Sequence, residues 1–402
     1  MKTYYLTREK NFIECSVDVS TPYKRTITLL EGSDNGKVIN VHPQGVAWGS
    51  MYPRVFECES KPTKFVVHKG RVIVENNSVL SEADVGAVPL LKKDYNFQPF
   101  LTDVIDSIHS KENVLLTGGT GVGKTTHINQ LAARINKPLL RINFNGETRM
   151  SDLIGKIQVK DGETVWMDGV LPMAMRKGYW LLLDELDFAD PAVLSLLHPV
   201  LEDDPILVLK ENSGEVLRPH PNFRLFATAN SIGAMADRAS SYTGTNQMNE
   251  AFLDRWQVLL VDNLAPKQEM KVLKDEAPGL KPKWNRQIVE FANKARAKDS
   301  NGESFGYSGD NFSTRKTIAW AKKTMLHRCP IKGAKLSWLD KMPEQEQELM
   351  LIALTTVFGQ AKSSRLSSKG TEIKKRKVTI TSGSVITSPI KKARGRPRKT
   401  TV

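Results

Sequence analysis

The stretch LLTGGTGVGKTTH, residues 115–127, sets Gly118, four further residues, Gly123, Lys124 and Thr125 in a row. That spacing is the pattern of a phosphate-binding loop, in which backbone N–H groups cradle phosphates, a lysine reaches the β and γ positions and a hydroxyl takes Mg2+. The residues expected to hold the nucleotide are Gly118, Gly119, Thr120, Gly121, Val122, Gly123, Lys124, Thr125 and Thr126. The context fits the pattern. NVLL, residues 113–116, reads as a short buried strand, and Ile128, Leu131, Ala132 and Ile135 recur at helical spacing. Strand, glycine loop and helix aim a helix N-terminus at a polyphosphate. The competing reading is a glycine-rich strand-to-helix turn with no ligand.

A second stretch, YWLLLDELDFADP at residues 179–191, ends an apolar run in two adjacent carboxylates. A buried parallel strand would deliver both to the C-terminal edge of its sheet, beside the loop. Asp184 is then expected to hold Mg2+ together with Thr125, and Glu185 to polarise the attacking water. Taken alone, an acidic pair after a strand is more often a loop start. Asp190 and Pro191 cap a following helix whose apolar face is read as Val193, Leu196, Leu197, Val200 and Leu201. A third strand, FRLFATAN at residues 223–230, ends in Asn230, which is either a γ-phosphate contact or a helix cap.

Elements of both periods are needed to position these groups. Residues 1–92 alternate in short runs between turn signals such as Asp34-Asn35-Gly36, which predicts a small β-rich N-terminal domain. Strands alternate with helices over 93–262, as in a large α/β nucleotide-binding domain. WNRQIVEFANKARA and TRKTIAWAKKTML carry the periodicity of a small helical domain over 263–361, and residues 362–402 read as a disordered basic tail. The chain has 402 residues and a net charge of +14. From Lys362 onward 13 Lys and Arg stand against the single acid Glu372, so +12 of that charge belongs to the tail. Cys15, Cys58 and Cys329 fit neither a disulfide framework nor a zinc site. No run of about 18 apolar residues occurs to span a bilayer. The expected place is the cytoplasm of a bacterium or a phage-infected cell, with no membrane partner.

The three strand ends, in this order, resemble the AAA+ P-loop ATPases, and TGVGKTTHINQLAARIN, RPHPNFRLFATAN and YTGTNQMNEAFLDRW narrow the resemblance. They look like the CobS-like ATPase subunit of aerobic cobaltochelatase and its phage-encoded relatives, within the MoxR-like branch. The resemblance implies ATP as substrate with Mg2+, a homo-oligomeric, hexameric ring, and a partner protein complex that the ring remodels. It places the arginine finger at Arg255, with Arg238 a weaker candidate, and the small-domain sensor arginine at Arg315. Guanidinium suits both, being always charged and able to clamp phosphate oxygens in a planar fork. It also places two insertions, at residues 156–175 and 206–223, which read as hairpins facing a partner or simply as surface loops. The catalytic set is therefore Lys124, Asp184, Glu185, Asn230, Arg255 and Arg315. No Asp-x-Ser-x-Ser motif occurs and the histidines are scattered, so a chelatase role would need a separate metal-binding subunit.

The tail ends KKARGRPRKTT, in which Arg394, Gly395, Arg396, Pro397, Arg398 and Lys399 resemble an AT-hook, an extended segment whose arginines lie in a narrow A·T minor groove. A solvated tail binding any polyanion, or a nuclear address beside KKRK at 374–377, are the alternatives. Three functions stay open at this point: a motor remodelling a protein partner, an ATPase tethered to duplex DNA, and a DNA-binding architectural protein with a decayed ATPase.

Overall fold

The computed structural model describes residues 2–6, 12–21, 24–30, 38–41, 55–58, 65–68, 71–74, 81–230, 248–297 and 312–359. Arg238 and residues 362–402, with the AT-hook-like Arg394 to Lys399, lie outside the described residues.

The chain begins with strands β1 (Lys2–Leu6), β2 (Phe12–Thr21), β3 (Lys24–Leu29), β4 (Val38–Val41) and β5 (Val55–Cys58). They pair antiparallel in the order β4-β3-β2-β1-β5. A hairpin of β6 (Phe65–His68) and β7 (Arg71–Val74) follows, and its Val66 and Ile73 are buried with the apolar residues of the next helices rather than with the first sheet. Helix α1 (Glu82–Gly86) starts at a capping box of Ser81 and Asp84, and α2 (Leu101–Ser110) leads into the central sheet.

That sheet is built from β8 (Val114–Thr117), β9 (Leu139–Asn143), β12 (Trp180–Asp184), β15 (Arg224–Ala229) and β16 (Gln257–Leu260). All its pairs are parallel, in the order β16-β8-β15-β12-β9. Its central strands are apolar throughout because both faces are covered, and alternate residues feed two cores. Leu115, Leu181, Leu183 and Leu225 pack on one side, Val114, Leu116, Leu182 and Phe226 on the other. Helix α3 (Lys124–Arg134) covers the second side with Ile128 and Leu131.

Between β9 and β12 lie α4 (Met150–Ile154), the hairpin β10 (Gly155–Lys160) and β11 (Glu163–Asp168), and α5 (Val170–Lys177). Asp161 and Gly162 join the two strands at φ 53° and 85°, the pair of positive values that a tight two-residue hairpin turn requires. Helix α6 (Pro191–Leu201) begins at Asp190, whose carboxylate accepts from the Ala192 N–H at 2.7 Å. Its buried face is Val193, Leu194, Leu197, Val200 and Leu201. Leu196, expected on that face, is only half-buried, and Leu194 takes the place instead. A second hairpin, β13 (Leu207–Leu209) and β14 (Glu215–Leu217), precedes β15, and α7 (Glu250–Leu253) precedes β16.

The rest is helical: α8 (Pro266–Glu276), α9 (Pro282–Arg296), α10 (Thr314–His327), α11 (Pro330–Ser337) and α12 (Glu344–Phe358). They close on their own core around Trp320, Phe291, Phe312 and Trp338, where Trp320 meets the other three rings edge-to-face. Among the described residues no helix is long and apolar enough to cross a membrane.

Candidate functional site

The loop between β8 and α3 turns on glycine. Gly118, Gly121 and Gly123 have φ of 147°, 80° and 105°, values that L side chains rarely adopt. At two of them the surroundings forbid a side chain as well. A Cβ on Gly118 would collide with the Val261 carbonyl, and one on Gly121 would stand 2.7 Å from Ser313 Oγ. Val122 is buried in the core and lends the loop only its backbone, whose carbonyl accepts from Gln98 Nε2 at 3.0 Å. Thr126 sits half-buried in the first turn of α3.

Strands β9, β12 and β15 end at the same edge of the sheet as the loop, and each contributes polar groups. Asp184 closes β12, and its Oδ1 accepts from Thr125 Oγ1 at 2.8 Å and lies against the Thr228 hydroxyl. The Arg141 guanidinium, from β9, is ion-paired with its Oδ2. Glu185 has φ 59°, a left-handed conformation uncommon for a residue with a side chain. The turn is held by its N–H, which donates to Thr228 Oγ1 at 3.0 Å. Its carboxylate Oε2 accepts from Asn143 Nδ2, at the end of β9, at 3.1 Å.

Asn230 follows β15 and is the hub of the edge. Its N–H donates to the buried Asp187 at 3.0 Å, and its Oδ1 accepts from Lys124 Nζ at 3.1 Å and from Thr120 Oγ1 at 3.4 Å. Lys124 also donates to the carbonyls of Gly118, at 2.6 Å, and Gly119, at 3.1 Å. With 7% of its surface exposed, Lys124 is held down to a pKa of about 8 by burial, against the pull of Asp187, Asp184 and Glu185.

A hydroxyl and a carboxylate oxygen on one spot beside a lysine loop are hard donors, and they suit Mg2+ better than a softer ion. The Thr125 to Asp184 hydrogen bond shows that these two groups converge. Asn143, Arg141, Thr228 and Asp187 were not singled out from the sequence. Asn143 closes β9 directly beside Asp184, a register that only the structure shows.

The two expected arginines part company. Arg315, in the first turn of α10, reaches the loop: its N–H donates to Gly121 O at 3.3 Å, and its charge bears on Lys124. Arg255 lies at the opposite edge of the sheet. Its neighbour Gln257 donates to Asn113 O at 2.7 Å, just before β8, and its own carbonyl accepts from Asn113 Nδ2 at 3.4 Å. The length of β8, about 13 Å at the usual rise per residue, separates it from the loop. There its guanidinium forks onto Glu202 Oε1, with Nε at 2.9 Å and Nη2 at 2.6 Å.

Residues 113–256 match the family described as AAA domain (dynein-related subfamily). The aerobic cobaltochelatase subunit CobS of a Sinorhizobium species is 34% identical over 282 residues, 68% of this chain and 83% of that one. Protein NorQ of Paracoccus denitrificans is 41% identical over 117 residues, 29% of this chain and 43% of its own. The chain belongs to the MoxR-like AAA+ ATPases.

In this ATPase the base of the first hairpin is tied to the turn end of the second, where Glu215 pairs with Leu209. Arg176 of α5 donates Nε to Asp168 at 2.9 Å, at the end of β11, and Nη2 to Glu215 at 2.6 Å, at the start of β14. Beyond that tie the first hairpin carries exposed apolar side chains, Ile157, Val159, Val165 and Met167.

Proposed function

We propose that this chain is the Mg2+-dependent motor subunit of a homo-oligomeric ring, six copies being the expected number, which spends ATP on remodelling a partner protein complex. The observation that carries it is the division of the candidate groups between two edges of one sheet. Lys124, Thr125, Asp184, Glu185 and Asn230 converge at one edge and Arg255 stands at the other. An arginine that cannot reach its own loop is placed to serve a neighbour's.

In this reading the loop binds the triphosphate and Lys124 balances its β and γ charge. Mg2+, held by Thr125 and Asp184, would supply charge neutralisation across the phosphates. Glu185 takes the proton of the attacking water, and Asn143 holds that carboxylate in place. Asn230 sits beside Lys124, where it can sense the γ-phosphate, and Arg315 brings the helical part against the bound nucleotide. Arg255 must leave Glu202 to complete a neighbouring site.

The partner class follows from the relatives. CobS is by name a subunit of a cobaltochelatase, so this chain is read as one subunit of a larger machine. Among the described residues no group of three or more His, Cys, Asp and Glu is arranged to hold a metal ion. The proposed role is the motor of that machine.

ATP turnover tests the assignment. Wild-type protein is expected to release phosphate only with Mg2+, and Lys124→Ala to lose nucleotide binding. Magnesium-independent turnover, or nucleotide binding unchanged in Lys124→Ala, would sink the reading.

A further inference from the structure

A second buried constellation lies in the helical part, away from the phosphate loop. Glu269 of α8 has no exposed surface at all. A buried carboxylate is costly unless its oxygens are matched, and here both are. Arg296, in the last turn of α9, donates Nη1 to Oε2 and Nη2 to Oε1, each at 2.7 Å. Thr317 of α10 donates its hydroxyl to Oε1 at 2.8 Å. Arg296 also donates Nε to the Phe312 carbonyl at 2.6 Å and Nη1 to Asn293 Oδ1 at 3.4 Å. Three helices thus meet on one carboxylate, and the Phe312 and Thr317 bonds hold the start of α10.

That start is the part of the helical region that touches the loop. Ser313 Oγ and Arg315 Cβ crowd Gly121, and the Arg315 N–H donates to its carbonyl at 3.3 Å. Apolar side chains of similar volume would hold three helices together at least as well as a buried ion pair. What they would lack is direction. A planar fork with its third donor on Phe312 O accepts one axial position of α10, because sliding the helix breaks both the Phe312 and the Thr317 bonds.

We propose that Arg296 and Glu269 are positioning residues for the nucleotide reaction: they set α10 so that Arg315 meets the phosphates, and they carry any shift at Gly121 into α8 and α9. The inference rests on the reading of Arg315 as the nucleotide-touching arginine.

The test uses the full chain in four variants: Arg296→Lys, which keeps the charge but loses the fork and the Phe312 bond, Thr317→Val, which deletes one hydroxyl, Arg315→Ala, and Arg296→Lys with Arg315→Ala. Nucleotide Kd, kcat/KM and the thermal midpoint are measured for each. At a temperature where they are folded, Arg296→Lys and Thr317→Val should lower kcat/KM by ~10-fold or more, the scale at which small misplacements act. The double variant should be no worse than Arg315→Ala alone, since the pair works through that arginine. Losses that multiply, or a lowered midpoint with unchanged kinetics, would overturn the inference and leave Arg315 its role. An Arg315→Ala protein with wild-type Kd and kcat/KM would remove that role and the inference together.

Discussion

Lys124 is an ammonium kept from water whose hydrogen bonds go to neutral oxygens, the carbonyls of Gly118 and Gly119 and the amide of Asn230. Asp187, Asp184 and Glu185 pull on its charge without hydrogen-bonding to it, and in the proposed reaction that charge meets phosphate. Burial holds its pKa to about 8 in the free protein, and a bound triphosphate must raise it. Binding then takes up a proton above that value, so ATP affinity should fall as pH rises through 8, by up to about tenfold per unit. Calorimetric Kd values from pH 7 upward check this, and a flat profile would remove the lysine from the phosphate contact. In the proposed reaction Glu185 has the complementary task. Asn143 holds its carboxylate 3.1 Å away, and the left-handed turn aims it off the end of β12. Glu185→Gln should bind ATP as the wild type does and turn it over at least ~10²-fold more slowly, the loss expected for a positioned base. Turnover within a few-fold of wild type in a phosphate-release assay would return Glu185 to a mere strand end.

The elements that carry these groups differ in how readily the sequence discloses them. The interior strands β8, β12 and β15 are covered on both faces, so they read as unbroken apolar runs and their polar last residues stand out. Asp184, Glu185 and Asn230 were legible for that reason. The outer strand β9, LLRIN, alternates instead, and half-exposed Arg141 and Asn143 look like solvent-facing residues until β12 is laid beside them. Their part in the site depends on register, which one strand's sequence does not contain. The same limit applies to Leu194 and Leu196, where one helical period offers two neighbouring choices and only packing against the sheet selects Leu194. The hairpins were legible from their Gly-containing turns, but their linkage through Arg176 joins residues far apart in the chain. Arg176→Ala should free the base of the first hairpin from the turn end of the second, seen as faster amide exchange in β11 and β14 with little change in β8 and α3. Unchanged exchange in either hairpin would show that Arg176 does not couple them.

For the whole molecule, the proposed ring would have one chain hold half of two sites. In that ring the loop edge would take an arginine from across an interface, while in the single chain Arg255 rests on its own Glu202, a half-exposed ion pair of the kind worth little in water. Giving up that pair for the charge on a neighbour's γ-phosphate would cost little, so in the proposed ring assembly and catalysis would be coupled through the same side chain. Arg255→Ala should then keep nucleotide binding and lose hydrolysis, while Lys124→Ala loses binding but still presents a sound arginine. Neither variant is active by itself. Mixed, they form interfaces in which a Lys124→Ala copy offers its Arg255 to the intact loop of an Arg255→Ala copy, and some ATPase activity should return. Its dependence on the mixing ratio should peak between the two pure proteins, because only unlike neighbours build a working site. Phosphate release measured across the ratio series, with mass photometry reporting assembly in ATP, decides the matter. Mixtures that assemble and stay silent, or full wild-type activity from a strictly monomeric protein at high dilution, would confine Arg255 to its partner Glu202 and leave the motor without a shared site.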